Sequence, residues 1–269
     1  MTKLWTLRVL APALALAVVA LTGCGGGASE DQPAAPAAPE SAPAAESAPA
    51  VDASQTCSIK GAVTLADGPD PDAPIKLDAD PVCAGLHTSP VESSTRVTGP
   101  AGELANVLVY IKTPGVTGKA PAEPLTLTQQ GCVYRPHVAA VVVGQPVKIV
   151  NGDPTLHNVH ALAKTNTEFN QAQPFQNMEL EKKFDKAEMA IAIKCDVHPW
   201  MLSYISVLPH PYFAVTAEDG SFTINGVTAG SYEVEAWHET LGTKTGQATV
   251  TAGGAADLSF SFGAAAAGG

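Results

Sequence analysis

The pattern of apolar and polar positions divides the chain into three kinds of stretch. Residues 9–23 form an uncharged apolar run that follows Lys3 and Arg8. The run is shorter than the ~20 residues a spanning helix needs, and its basic start predicts a signal segment outside the fold. Residues 25–55 consist almost wholly of Ala, Pro, Ser, Glu and Gly and have no apolar period, which predicts a disordered linker. From Cys57 onward, short runs rich in β-branched residues alternate with Gly, Pro, Asn and Asp, and no long amphipathic helix interrupts them. Strands are expected at 58–65, 106–112, 125–128, 138–143, 147–151, 189–194 and 204–208. The Pro-rich segment 67–102 is expected to run over the surface, and 165–186 is a second long connection of weak period.

A second module is expected to begin near His210. Asp219-Gly220, Asn225-Gly226 and Ala229-Gly230 are turn signals around a strand at 221–224. Tyr232, Val234 and Ala236 then alternate with Glu233, Glu235 and Trp237, as in a strand with one wet face. Residues 248–250 and 258–262 could close a small sandwich. Asp219-Gly220-Ser221-Phe222 together with Gly230-Ser231-Tyr232 resembles the carboxypeptidase regulatory-like, transthyretin-like domain, over about fifty residues. That resemblance implies a structural β-sandwich.

Composition narrows the function classes. With 45% hydrophobic residues in 269, the chain can bury a core, and its formal net charge is −11. Such a balance argues against nucleic acid as a partner, whose phosphates call for Lys and Arg. It leaves open docking to a basic protein. Leu21-Thr22-Gly23-Cys24 resembles a bacterial lipobox, which implies lipidation of Cys24. The chain would then be membrane-anchored at the cell envelope, facing the periplasm or the exterior. In such an oxidising compartment thiols normally pair. Cys83 with Cys132 is the expected disulfide, because both lie in loop-like stretches beside Pro or Gly, and Cys57 is left over.

Cys195 is set apart by its neighbours. In Cys195-Asp196-Val197-His198-Pro199-Trp200-Met201 a thiol, an imidazole and a thioether fall within seven residues. Soft sulfur with imidazole suits copper, and two His, one Cys and a weak axial Met make the blue-copper donor set. Met189, Ile191, Ile193 and Cys195 are spaced by two, which predicts that all four share one strand face. The second imidazole is expected from Leu156-His157-Asn158-Val159-His160, after the turn Asp153-Pro154, with Asn158 placed to tie the two ligand loops together.

The pair Cys-x-x-His-Pro-x-Met and His-Asn-Val-His resembles amicyanin- and plastocyanin-like cupredoxins. The resemblance implies a Greek-key β-sandwich with one copper ion cycling between Cu(I) and Cu(II). It implies His157, Cys195, His198 and Met201 as ligands, with Asn158, Asp196, Pro199 and Trp200 around them. Asp196 and Val197 depart from the small residue and proline usual in that loop, and Asp196 beside the thiolate should favour the oxidised ion. Trp200 is expected to cover His198 or to belong to a docking patch, with electrons entering through an exposed His198 edge. His160 is expected beside the site rather than on the metal, His137 in a structural loop, and His87, His210 and His238 on the surface or in the core.

Zinc favours Cys and His sets without thioether, and there is no Cys-x-x-Cys. A Gly-rich phosphate loop and a Gly-x-Ser-x-Gly elbow are also absent from the sequence. The expected architecture is all-β: signal segment 1–23, lipidated Cys24 and linker 24–56, cupredoxin domain 57–208, carboxypeptidase regulatory-like sandwich 209–263 and tail 264–269. The expected function is single-electron transfer between redox proteins, by a monomer that is not an enzyme. Copper storage or delivery is one alternative. The other is an envelope-structural lipoprotein with a vestigial cupredoxin domain.

Overall fold

The structure, a computed structural model, describes residues 57–70 and 72–263. The expected signal segment, Cys24, the linker and the tail lie outside these residues. The strands in chain order are β1 (Cys57–Leu65), β2 (Leu108–Ile111), β3 (Leu125–Gln129), β4 (Tyr134–Arg135), β5 (Val138–Val142), β6 (Pro146–Asn151), β7 (His157–Leu162), β8 (Phe169–Gln173) and β9 (Glu179–Lys183). They continue as β10 (Glu188–Lys194), β11 (Leu202–Leu208), β12 (Phe213–Val215), β13 (Ser221–Val227), β14 (Gly230–His238), β15 (Gly242–Val250), β16 (Ala255–Asp257) and β17 (Phe260–Phe262). One short helix, α1 (Pro81–Gly85), lies between β1 and β2.

These strands build two β-sandwiches. In the first, the sheet β5-β11-β10-β7-β8 faces the sheet β4-β3-β6-β9. Leu127, Tyr134, Val141, Ile149, Ile193 and Ile205 are among the side chains buried between them. In the second, β13-β1-β16, with β17 also on β1, faces β12-β2-β14-β15. Its core includes Ile59, Val63, Val109, Phe222, Val234 and Phe262. Burying each such side chain contributes about 2 kcal/mol. Gly61 lets β1 sit this close to the following chain, since a Cβ there would lie 1.7 Å from the Leu258 carbonyl oxygen.

The expected boundary at 208/209 does not separate the two sandwiches. β1 pairs with β13 from Ser58↔Asn225 to Ala62↔Ser221, and β2 pairs with both β12 and β14. Both strands fall within the expected cupredoxin range 57–208, yet their core is closed by C-terminal strands. The first sandwich, β3–β11, is therefore inserted between β2 and β12 of the second. The cause is visible in burial. β2 sends Val109 and Ile111 into the second core and Leu108 and Tyr110 into a small seam, where they meet Val138, Ala140 and Leu208 of β5 and β11. β5 is likewise buried on both faces, with Ala139 and Val141 inward and Val138 and Ala140 in the seam.

Segment 165–186 carries strands that its pattern hid. β8 and β9 are the outer strands of their sheets, so few of their positions are buried and Glu179, Glu181 and Lys183 face solvent. Charged side chains on an edge blunt pairing with other chains, and they also erase the apolar alternation. The 67–102 excursion runs over the surface with α1 in it. Its Arg96 is held by Asp72, with Nε and Nη2 donating to Oδ1 at 2.8 and 2.6 Å.

Candidate metal centre

Two neighbouring strands bring the candidate residues to one end of the first sandwich. β7 and β10 run antiparallel, with Lys194 opposite His160. The start of β7 therefore lies beside the end of β10. His157 opens β7 and Cys195 follows β10 directly. Ile191, Ile193 and Cys195 are all buried on the inner face, as their spacing predicted. Met189 departs from that pattern and is 38% exposed. Ala190 has φ 52° and the pairing with β11 shifts register between Glu188 and Ile191, so a bulge turns Met189 outward.

His157, Cys195 and His198 place one ligand atom each within 4.8 Å of one another, and all three are buried. The Nδ1 atoms of His157 and His198 are 3.0 Å apart, and Cys195 Sγ is 3.7 Å from His198 Nδ1. The other ring nitrogens meet carboxylates. His157 Nε2 donates to Asp153 Oδ2 at 2.9 Å, and His198 Nε2 donates to Asp80 Oδ2 at 3.0 Å. An ionised carboxylate only accepts, so each Nε2 carries a proton and each ring turns its Nδ1 inward, where a lone pair or a further proton sits. Two lone pairs at this separation repel unless a proton or a metal cation lies between them. The set thus fits one metal ion held by two Nδ1 atoms and a thiolate.

The electrostatics agree with that donor set. Burial pushes the Cys195 thiol up, but hydrogen bonds from His157 and from neighbouring backbone N–H groups outweigh it and lower its pKa to about 7. Burial pushes His157 down, but Asp153 and the Cys195 thiolate raise its pKa to about 9. The metal-free site is therefore close to a thiolate–imidazolium pair, poised to exchange a proton for a metal ion.

Met201, the expected axial ligand, is buried in the same loop. Its N–H donates to the His198 carbonyl at 2.9 Å, and its carbonyl accepts from Cys195 N–H at 3.2 Å. These bonds fold 195–201 into a compact turn whose two ends lie side by side. Asn158 links the two ligand loops. Its Oδ1 accepts from Asp196 N–H at 2.7 Å and from Cys195 Sγ at 3.3 Å, while Nδ2 donates to Asn170 Oδ1 at 2.7 Å. The Asp196 carboxylate is taken up by partners other than the thiol. Lys194, His160 and Asn170 engage its carboxylate at 2.9, 3.0 and 2.6 Å, and hold its pKa well below the usual carboxylate range. His160 is thereby an ion-pairing partner of Asp196 and Glu168. Pro199 is exposed at the loop tip.

His198 is 1% exposed, so the open imidazole edge expected from the sequence does not exist. Trp200 covers one side, its ring 5.2 Å from that of His198, and its Nε1 donates to the Cys132 carbonyl at 3.0 Å. Cys83 and Cys132 form a disulfide, and Cys83 Sγ lies 3.5 Å from His198 Nε2. Asp80 and Asp153 were not anticipated as part of the site. Asp80-Pro81 is a helix-start signal, with Asp as the cap and Pro at the first helical position. Asp153 stands four residues before His157 in a tight turn. Tyr134 was missed as well; its hydroxyl donates to the Asn158 carbonyl at 2.8 Å.

The remaining histidines lie apart from this centre. His87 bonds the Gly131 carbonyl at 2.8 Å, and buried His210 bonds that of Ile111 at 2.8 Å. His137 bonds the Leu202 carbonyl at 3.1 Å and pairs with Glu239. His238 is buried, and its Nδ1 accepts from the N–H of Thr240 at 3.2 Å.

Comparison with known proteins gives partial matches. The family model for polysaccharide lyase family 4, domain II, matches residues 206–258. That is the segment where a carboxypeptidase regulatory-like sandwich was expected, and the two share a β-sandwich. No curated protein matches the sequence. Among solved structures, a Cu-containing nitrite reductase from Thermus scotoductus SA-01 is similar at 21% identity and TM-score 0.30, over 36% of this chain and 25% of that one. A purple cupredoxin from Nitrosopumilus maritimus is similar at 19% identity and TM-score 0.27, over 31% and 98%. An oxidized variant of amicyanin is similar at 18% identity and TM-score 0.29, over 37% and 97%. This chain thus spans a quarter of the reductase and nearly all of the two small proteins.

Proposed function

We propose that the chain binds one copper ion through His157, Cys195, His198 and Met201 and carries single electrons between redox proteins at the cell envelope. The observation that supports this most is the facing pair of Nδ1 atoms, with both Nε2 protons held by carboxylates, beside a thiol already near its pKa at neutral pH. Two imidazoles, a thiolate and a thioether are the donors that copper accepts in both of its common oxidation states. When bound, copper supplies a one-electron couple between Cu(I) and Cu(II).

The chain's own part is to hold those donors still. Cys195 leaves a strand whose neighbours Ile191 and Ile193 are locked in the core. Asn158 ties the Cys195 loop to the His157 strand. Donors fixed in this way rearrange little when an electron arrives or leaves. The second sandwich acts as a scaffold of carboxypeptidase regulatory-like type. Lipidated Cys24 would keep the monomer near membrane-bound partners and raise its effective concentration there. No catalytic step is assigned to this chain.

The test is to add Cu(II) to the protein and record the visible spectrum. An intense thiolate-to-copper band is expected, and Cys195→Ala should abolish it. A colourless wild type under oxidising conditions would overturn the proposal. Fast electron self-exchange in the copper form distinguishes a carrier from a storage protein, which would release Cu(I) to a chelator and exchange electrons slowly.

A further inference from the structure

The surface excursion between β1 and β2 does more than connect them. Asp80 caps α1, its Oδ1 accepting from Val82 N–H at 2.7 Å and Cys83 N–H at 3.2 Å. Its other oxygen accepts the His198 Nε2 proton. Cys83, on the same helix, is bonded to Cys132, 49 residues away. The Cys132 N–H in turn donates at 2.8 Å to Asp153 Oδ2, the oxygen that accepts from His157 Nε2. The disulfide therefore joins the carboxylate behind one imidazole to the carboxylate behind the other. Trp200, bonded to the Cys132 carbonyl, closes the remaining side.

The compact loop 195–201 does not supply this collar, since every part of it except Trp200 comes from other segments. A carboxylate on the outer nitrogen of a metal-binding imidazole fixes the tautomer, orients the ring and strengthens the inner nitrogen as a donor. The Asp80 side chain is 26% exposed and its partner His198 1%, so its charge is only partly screened. A negative charge one ring away from an ion stabilises the more positive state of that ion.

We infer that Asp80, fixed by the Cys83–Cys132 disulfide, is a positioning residue of the copper centre, which holds His198 with Nδ1 inward, seals its outer edge and favours Cu(II) over Cu(I). This rests on the copper reading above. Four variants test it: Asp80→Asn, Asp80→Glu, the double variant Cys83→Ala/Cys132→Ala, and Asp78→Asn. The last removes the same charge from an exposed position on the same segment. Asp80→Asn should weaken Cu(II) binding relative to Cu(I) about tenfold or more, read as a rise in reduction potential. The cysteine double variant should move in the same direction, Asp80→Glu should restore most of the effect, and Asp78→Asn should leave the potential unchanged. Imidazole nitrogen NMR of the metal-free protein gives a second readout. His198 should carry its proton on Nε2 in the wild type and populate both tautomers in Asp80→Asn. Equal potentials in Asp80→Asn and Asp78→Asn, with the same His198 tautomer as wild type, would overturn the inference. If the wild type takes up no copper, the copper reading fails, and the tautomer still reports whether Asp80 holds His198.

Discussion

His157 and His198 face each other through their Nδ1 atoms at 3.0 Å, each pinned from behind by a carboxylate. A metal ion entering there must displace protons from Cys195, with a pKa of about 7, and from His157, with a pKa of about 9. Protons compete with the metal, so apparent copper affinity rises with pH. Below pH 7 both groups carry a proton, and affinity should fall about 100-fold per pH unit. Between 7 and 9 only the His157 proton has to leave, and the slope should ease to about tenfold per unit. Chelator competition across this range measures both slopes, and a flat profile from 7 to 9 would contradict the assigned ionisation.

Asn158 is the link between the ligand strands. Asn158→Ala leaves Asp196 N–H without the oxygen that now accepts from it. Losing the acceptor of a part-buried donor costs about 1 kcal/mol. The variant should unfold at lower denaturant concentration and, when loaded with copper, show a shifted thiolate band. An unchanged spectrum would mean that the loop keeps its geometry without this link.

The disulfide closes a loop between residues separated by 49 positions. By the chain-entropy argument, removing it costs about 4 kcal/mol. Metal-free Cys83→Ala/Cys132→Ala should therefore show a markedly lower denaturation midpoint. A midpoint equal to that of the wild type would show that the excursion is held by its other contacts.

The seam between the sandwiches contains a histidine–carboxylate hydrogen bond. His137 and Glu239 side chains are 9% and 5% exposed, and the Tyr204 hydroxyl also bonds Glu239. Glu239→Ala removes the acceptor from both partners and should cost about 3 kcal/mol. Because the seam is what couples the two cores, heat unfolding of this variant should spread into two resolved transitions. A single sharp transition would place the coupling in the apolar seam residues alone.

Much of this was legible in the chain before any coordinates. Period-two alternation marked β10 and β14, and the Cys195–His198 spacing together with His157 picked out three candidate ligands on two segments that do meet. What could not be read was set by contacts distant in sequence. Nothing local in Cys57–Leu65 says that its partners are Ser221–Val227. β8 and β9 were invisible because edge strands bury few positions, and β8 is mostly polar while β9 is charged. Met189 left its expected face through a bulge at Ala190. Asp80 joined the site only because a disulfide and a helix cap carry it there, although the Asp-Pro start of that helix was visible.

The insertion of one sandwich into the other has a mechanical consequence. Chain entering at Cys57 passes first into β1, which lies between β13 and β16 of the second sandwich. A pull along the chain ahead of Cys57 is thus resisted by the β1–β13 ladder in shear, where many hydrogen bonds must break together. The first sandwich meets this scaffold along the seam and through the Cys83–Cys132 disulfide, and none of its strands belongs to that ladder. His157 and the 195–201 loop thereby stand outside the part of the fold that such a load would strain first.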